Sequence, residues 1–565
     1  MKTFPTKEIE MAMQPLGTLT FADIIEKLET DPGLSDLRRR DLVSGLRRVA
    51  HALGRSPEAV IADPKWLQPR LTKIAPAALG LTVKSWQNAV SDARAAMARV
   101  GIVKPRNRHI DDLQPAWRAW WLAVLASKDR TLIPGLGRFI HFLSNLSVAP
   151  EAVTQAHADA FLVAVTADEI TKRPEVSWQN ALCAWNLATT RMAGWPQIRL
   201  AVPKRQNVIR LPDEALPAAF LDDLARFMKR LGDPDLFAEE APRAALAAST
   251  IKHRTAMLKR FASELLRAGV PGAEIDSVAA LCTPKLAECG LRAMVARNGN
   301  ATKVVIDDMA SILLSCACRL DLDDKVRASL AKLARCVAMP PQKGLTSKNR
   351  ARLRVLRDDA TLQRLLNLPD KLCAMARKLN PKAAALARED ALAIAILFVC
   401  PLRIGNIAEI HLDHNLQRPG DGRMFLTFGA EEIKNHRPME FEVPPDVRTM
   451  LDKHLAARAP LLCPQGTPWL FPRRDGTGPV DSSTLSTRLT QRIRKETGIA
   501  MNAHLFRHLA AMLWLNANPG SYEAARRLLG HSSVSKTINV YAGLETDAVF
   551  KAFGSVLTAK KGSRR

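Results

Sequence analysis

The chain has 565 residues, more than a single hydrophobic core organises, so several domains are expected. Hydrophobic residues make up 47% of it, which excludes an intrinsically disordered chain. Its 82 Lys and Arg against 56 Asp and Glu leave a net charge of +26, a surplus that favours a polyanionic partner such as nucleic acid.

No apolar run approaches the ~20 residues that span a bilayer, so no membrane partner is expected. The opening residues, MKTFPTKEIEMAMQPLG, lack the apolar core of a secretory signal. Rich in Ala, Leu and Arg and poor in β-branched runs, the first ~340 residues read as helical. Ser85-Trp-Gln-Asn-Ala89 recurs as Ser177-Trp-Gln-Asn-Ala181, and Ala96 and Arg99 realign with Ala188 and Arg191. Either a duplicated helical block or chance produces so short a match. A third block, about 247–320, has similar texture without the motif; in it Met257, Leu258, Phe261 and Leu265 form one apolar stripe. Basic or proline-bearing stretches at 103–109, 203–217 and 339–357 separate the blocks. The last carries Lys348, Arg350, Arg352, Arg354 and Arg357 with no acid before Asp358. That composition suits a solvated linker or one that tracks a phosphate backbone. These breaks predict helical domains at 1–105, 106–210 and 211–345 and a C-terminal domain at 350–565.

The nine cysteines are odd in number and scattered, and no CxxC pair or flanking histidine completes a zinc pattern. They predict reduced, mostly buried thiols in a cytoplasmic protein, and no metal. In the C-terminal part a helix at 384–400 ends at Pro401. The only β signal follows, at 424–428 and, with strict alternation, at 439–443. The expected fold is mainly α and multi-domain: helical N-terminal DNA-binding domains, then a mostly helical domain with a small antiparallel sheet.

Four separated signals lie in that last domain. Arg403 follows Pro401 at the start of a helix, and Lys434 sits between the two strands as a hairpin lysine would. His504-Leu-Phe-Arg507-His508 opens an apolar helix, with His504 and Arg507 on one face and Leu505, Leu509, Met512 and Leu513 on the other. Gly530-His531 precedes Tyr541, one of two tyrosines in the chain; the other, Tyr522, opens a helix and reads as a half-buried packing residue.

In this order the set resembles the tyrosine recombinases and phage-type integrases, over about 356–552. The resemblance implies a catalytic set of Arg403, Lys434, His504, Arg507, His531 and Tyr541, with Tyr541 as the nucleophile that joins a DNA 3′ phosphate. It implies double-stranded DNA as partner, a homotetramer on paired DNA sites, no metal, ATP or other cofactor, and a cytoplasmic, nucleoid-associated protein. Core-binding and arm-type domains are implied upstream, 211–345 being the core-binding one. DNA integration, transposition and resolution all remain open. So do a type IB-like topoisomerase with the same chemistry and a DNA-binding protein that does not cut.

Transesterification piles negative charge on a five-coordinate phosphorus, and the guanidinium forks of Arg403 and Arg507 match two phosphate oxygens. With a pKa of about 10, roughly one tyrosine in a thousand is ionised at neutral pH. His504 is the candidate base, Lys434 the candidate acid for the departing 5′ oxygen, and His531 a donor to a non-bridging oxygen. Three departures from the family pattern stand out. The spacing from His531 to Tyr541 is one residue longer than in the most familiar members. Asn406 occupies a place where many relatives carry an acid. His508 shares the active face but is left outside the catalytic set. Beyond the nucleophile, Thr546 or Asp547 can cap a helix with Val549, Phe550, Phe553, Val556 and Leu557 on one face. That face either folds back on its own domain or, as the resemblance implies, docks into a neighbouring protomer.

Overall fold

The computed structural model describes residues 19–105, 109–170, 173–203, 209–233, 245–342, 344–458, 461–463, 467–542 and 546–562. It is mainly α, with one three-stranded antiparallel sheet. Among the described residues no helix is long and apolar enough to cross a membrane.

The chain begins with a helical module: α1 (Phe21–Glu29), α2 (Asp36–Ala52), α3 (Pro64–Leu71) and α4 (Val83–Arg99). Local chemistry sets each start. Thr20 and Asp23 form a capping box on α1, Ser35 and Thr82 cap α2 and α4, and Asp63 caps α3 ahead of Pro64. A second module repeats the plan with α5 (Pro115–Ala126), α6 (Leu132–Asn145), α7 (Gln155–Asp168) and α8 (Pro174–Arg191). The short sequence match falls on the fourth helix of each module. Trp86 of α4 and Trp178 of α8 are both buried. Between the second and third helix each module makes a 3-10 turn with the same three residues, Pro57–Ala59 and Pro150–Ala152, followed by a buried valine, Val60 or Val153. In each, a glycine of the second helix lets the fourth approach: a side chain on Gly45 would strike the Ala89 carbonyl, and one on Gly135 would strike Ala184.

Residues 203–342 form a compact unit of their own, and the segments before and after form the other. This unit holds α9 (Ala218–Gly232), α10 (Ala248–Arg267), α11 (Val278–Leu281), α12 (Pro284–Arg297), α13 (Val304–Arg319) and α14 (Asp324–Val337). The stripe of Met257, Leu258, Phe261 and Leu265 on α10 is buried as its spacing predicts.

The C-terminal part begins with α15 (Ser347–Arg354), α16 (Asp359–Leu366), α17 (Leu368–Ala376) and α18 (Pro381–Val399). Here the second half of the 339–357 stretch departs from the linker reading, while 339–342 and 344–346 carry no helix and the boundary between the two compact units falls after Gln342. Arginine is a good helix former, Thr346 supplies the cap, and Leu353 and Leu356 are buried. α18 is buried along most of its length and packs against several neighbours. Its Glu389 and Asp390, each 1% exposed, are held by Arg474 (2.6 Å), Arg488 (3.0 and 2.8 Å) and Arg492 (2.8 Å). Buried carboxylates require such partners, and these fix the frame behind the site.

After α18 come α19 (Ile404–Ala408), α20 (Leu412–Asn415) and the sheet, β1 (Leu416–Gln417), β2 (Phe425–Phe428) and β3 (Met439–Glu442). β2 pairs with β3 in the register Leu426↔Phe441, and β1 adds a strand too short for alternation to reveal. Met424 and Val443, expected inside the strands, lie just past them, joined by one backbone hydrogen bond of 2.8 Å. Next are α21 (Pro445–Arg458), α22 (Ser482–Thr497), α23 (Ala503–Ala517), α24 (Tyr522–Leu529), α25 (Val534–Tyr541) and α26 (Thr546–Gly562). The cysteines are less hidden than expected: Cys282, Cys316, Cys400 and Cys463 are buried, but Cys183, Cys318 and Cys336 are exposed.

Candidate active site

Tyr541 ends α25, with its ring 2% exposed. Its hydroxyl lies 2.9 Å from Nδ1 of His508. Burial pushes the phenol up to about 12, and the nearby Arg507 acts the other way. His531 lies parallel to the tyrosine ring, centroids 6.0 Å apart and planes inclined by 6°. It is placed by Gly530, whose left-handed backbone (φ +60°) ends α24, and by a 3.0 Å hydrogen bond between its Nδ1 and Thr537 Oγ1.

The Asn502 side chain caps α23 and starts the helix so that His504, Arg507 and His508 share one face. Arg507 is buried, and its guanidinium donates to the carbonyls of Pro401 and Leu529, each at 2.6 Å. One side chain thereby holds together the segment before Arg403 and the turn before His531. Burial lowers its pKa to about 10, and Arg403 adds to the effect. Arg403 is the N-cap residue of α19, half-buried, and its guanidinium has no hydrogen-bond or ion-pair partner among the described residues.

The rings of His504 and His508 meet edge to face at 4.6 Å. His508 is held at about 4, first by burial and then by the positive surroundings of His504, Arg507 and His531. His531 is also held at about 4, by burial and by Arg507 and Arg403. His504 reaches solvent; partial burial against its neighbours, Arg507 and Arg403 hold it below the usual histidine range. His508 and His531 are therefore uncharged at neutral pH in a pocket whose charge comes from arginine.

Lys434 lies exposed on the connection from β2 to β3. That connection is tied down by amides. Asn406 donates to the Glu432 carbonyl (2.7 Å), Asn415 to the Glu432 carboxylate (2.8 Å), and Asn435 to the Gly530 carbonyl (2.6 Å). The Glu432 carboxylate also accepts the Gly429 amide at 2.6 Å. Asn406, standing where an acid was expected, thus fixes the hairpin through its backbone. Five of the expected residues, Arg403, His504, Arg507, His531 and Tyr541, converge on one pocket, and Lys434 stands on the hairpin pinned to its rim at Gly530. His508 touches the nucleophile candidate and was left out of the expected set. Its position four residues after His504, on the same helical face, was the available signal.

The exposed α26 face is the remaining feature. Val549, Phe550, Phe553, Val556 and Leu557 are 45–68% exposed, so they are not buried against their own domain.

Comparison with curated proteins finds no match. Solved structures that resemble the chain in part include the XerA recombinase, with 16% identity, 59% of this chain and 98% of that one covered, and a TM-score of 0.24. The XerH site-specific recombinase in its pre-cleavage complex with difH substrate has 13% identity over 58% and 93% of the two chains, with a TM-score of 0.32. The Tn1549 transposon integrase (residues 82–397) with circular intermediate DNA has 15% identity over 60% and 99%, with a TM-score of 0.34. Residues 363–547, the stretch that holds Arg403, Lys434, His504, Arg507, His531 and Tyr541, match the phage integrase family. Residues 363–547 of this chain are accordingly a phage integrase family domain.

Proposed function

We propose that this protein is a site-specific DNA recombinase that cleaves and rejoins duplex DNA through a 3′-phosphotyrosyl intermediate at Tyr541. The observation that carries the reading is the constellation in the family-matched region: a buried tyrosine hydroxyl hydrogen-bonded to an uncharged imidazole, beside a second imidazole and two arginines. In the step proposed, the Tyr541 oxygen attacks phosphorus and the bond to the 5′ oxygen breaks. The phenol proton passes to an imidazole, and Lys434 protonates the leaving oxygen. Arg403 and Arg507 offset the charge of the five-coordinate transition state, and His531 donates to a non-bridging oxygen. The phosphotyrosyl bond conserves the energy for rejoining, so this route calls for no metal and no ATP.

The four segments 1–105, 106–210, 211–345 and 350–565 are proposed as its domains, each holding most of one large hydrophobic cluster. Five large apolar groups exposed on α26 favour a neighbouring subunit as their cover, which supports assembly as a tetramer on two DNA sites. The test is a nicked duplex whose cleaved end diffuses away, trapping protein on DNA. The unaltered chain should form a covalent adduct, Tyr541→Phe none while still binding DNA, and Tyr522→Phe should behave as wild type. An adduct that persists in Tyr541→Phe removes the assignment. Strand exchange between two sites, against relaxation alone, separates a recombinase from a topoisomerase.

A further inference from the structure

The turn that carries His531 is held at each of its residues. Its three consecutive carbonyls accept from three different side chains: Leu529 from Arg507 at 2.6 Å, Gly530 from Asn435 at 2.6 Å and His531 from Arg526 at 3.0 Å. The His531 amide in turn donates to the Arg526 carbonyl at 3.0 Å. Arg526 is itself gripped by both carboxylate oxygens of Glu523, each at 2.7 Å. The backbone of His531 is thereby fixed. What its chemistry still depends on is which ring nitrogen carries the proton, since a neutral imidazole has one donor and one acceptor.

One side chain bears on that choice. Nδ1 lies 3.0 Å from Oγ1 of Thr537, which is 0% exposed, while Nε2 has no hydrogen-bond partner among the described residues. The Thr537 hydroxyl has a single proton and two acceptors near it, Nδ1 and the Ser533 carbonyl at 3.5 Å. Hydroxyl bonds to a carbonyl run about 2.5–3.0 Å, so the carbonyl is too distant to hold the proton. Nδ1 is the acceptor, and the ring's own proton then sits on Nε2. The ring is neutral at neutral pH because burial and the cations Arg507, Arg403, Lys536 and Arg526 hold it at about 4. Thr537 and Tyr541 stand four residues apart on one face of α25, and each hydroxyl meets Nδ1 of a different histidine. Valine has the shape of threonine without its hydroxyl, so the bond to His531 is what the threonine adds at this buried position.

We propose that Thr537 is a positioning residue: its hydroxyl donates to His531 Nδ1, fixes the tautomer protonated on Nε2, and so keeps an N–H ready for a non-bridging oxygen of the scissile phosphate before DNA arrives. The proposal rests on the reading of His531 as a phosphate donor. In the other tautomer Nε2 would present a lone pair to an oxygen that gains negative charge in the transition state, which repels where a donor is needed. Thr537 acts through the ring alone. With the hydroxyl gone, no side chain in hydrogen-bond contact selects between the two tautomers.

The experiment reads the tautomer and the chemistry separately. Solid-state NMR of the full chain without DNA, labelled with nitrogen-15 in its histidine rings, reports which nitrogen is protonated; His531 is assigned by the signals lost in His531→Gln. At neutral pH the wild type should carry the proton on Nε2. A proton on Nδ1 overturns the proposal, whatever the protein does to DNA. Thr537→Val should leave a mixture of tautomers and slow single-turnover adduct formation on the nicked duplex by roughly 10–100-fold, the usual worth of a bond that fixes a functional imidazole. Thr537→Ser restores the hydroxyl and should bring both readouts back to near wild type. In a His531→Ala background Thr537→Val should cost nothing further, because its effect runs through the ring. A full and independent loss in that background makes Thr537 a packing residue and overturns the proposal. Thr537→Ala, with the same readouts, serves if the valine variant does not fold. A wild type protonated on Nε2 that forms no adduct refutes the functional reading, and the phosphate half of this proposal with it.

Discussion

His508 offers the sharpest perturbation, because the structure, not the motif, brings it to the Tyr541 hydroxyl. With the phenol pushed up to about 12, about one molecule in 10⁵ is ionised at neutral pH, a hundredfold fewer than for a tyrosine in water. A proton acceptor in contact matters more as the phenol becomes harder to ionise. Neutral imidazole has one donor and one acceptor nitrogen, and the tautomer protonated on Nε2 leaves Nδ1 free to accept from the hydroxyl. His508→Asn keeps an acceptor near that place but cannot take the proton at neutral pH. It should retain DNA binding and near-normal stability, while single-turnover adduct formation slows by roughly 10²–10⁴-fold, the ordinary worth of a general base. His508→Leu removes the acceptor as well and should also lose about 1–3 kcal/mol of stability, the cost of a buried hydroxyl without a partner. His504→Asn is the counterpart. If its loss is the larger and His508→Asn cleaves within about threefold of wild type, proton transfer runs through His504 and the reasoning here fails.

Three further outcomes follow from the same geometry. Lys434→Ala should slow cleavage by roughly 10²–10⁴-fold on ordinary DNA. The defect should largely vanish on DNA with sulfur at the bridging 5′ position, which leaves without a proton; an equal defect on both substrates would mean that Lys434 binds phosphate. His454 is 1% exposed and held at about 4 by burial, so the unfolded chain binds its proton first as pH falls below about 6.5. Stability should fall between about pH 6.5 and 4, and in urea titrations His454→Leu should abolish about 3 kcal/mol of that fall. Truncation after Glu545 removes α26 and should abolish strand exchange and higher-order complexes on paired-site DNA while single-site binding survives. Unchanged higher-order complexes in band shifts would make the helix a local cap.

Legibility differed by level. The helices were readable because periodicity and caps agree, as in Asn380 and Pro381 ahead of α18. The residues that converge on Tyr541 were readable in order but not in contact. Nothing in the spacing of His504, Arg507 and His508 says which imidazole faces the tyrosine, since that depends on how α25 crosses α23. Asn406 looked like a missing acid because an acid suggests a salt bridge to arginine, and its amide was free to bond a backbone carbonyl instead. The second half of the basic 339–357 stretch misled in the opposite direction. Charge density suggested solvent, but Leu353 and Leu356 between the arginines were enough to seat a helix. The likeness of the first two modules rested in the sequence on a tryptophan motif; the matching 3-10 turns at Pro57–Ala59 and Pro150–Ala152 are a matter of backbone geometry.

The two arginines that a motif treats alike differ in the structure, and the difference bears on how such a site turns on. Arg507 is committed: two of its N–H groups hold Pro401 and Leu529, so its charge is fixed where α23, α24 and the loop before α19 meet. Arg403 carries no such ties among the described residues and can turn its fork to a ligand. Neither has a carboxylate partner there, which leaves the pocket positive, and that potential helps to keep His508 and His531 at about 4. A phosphodiester lodged between the arginines would supply the missing negative charge. The imidazoles would then rise toward the ordinary histidine range, where a ring can accept the phenol proton at neutral pH. Without DNA the same ring is too acidic to hold that proton, and Tyr541 stays protonated and buried. Binding of the substrate charge and activation of the nucleophile are on this account one electrostatic event.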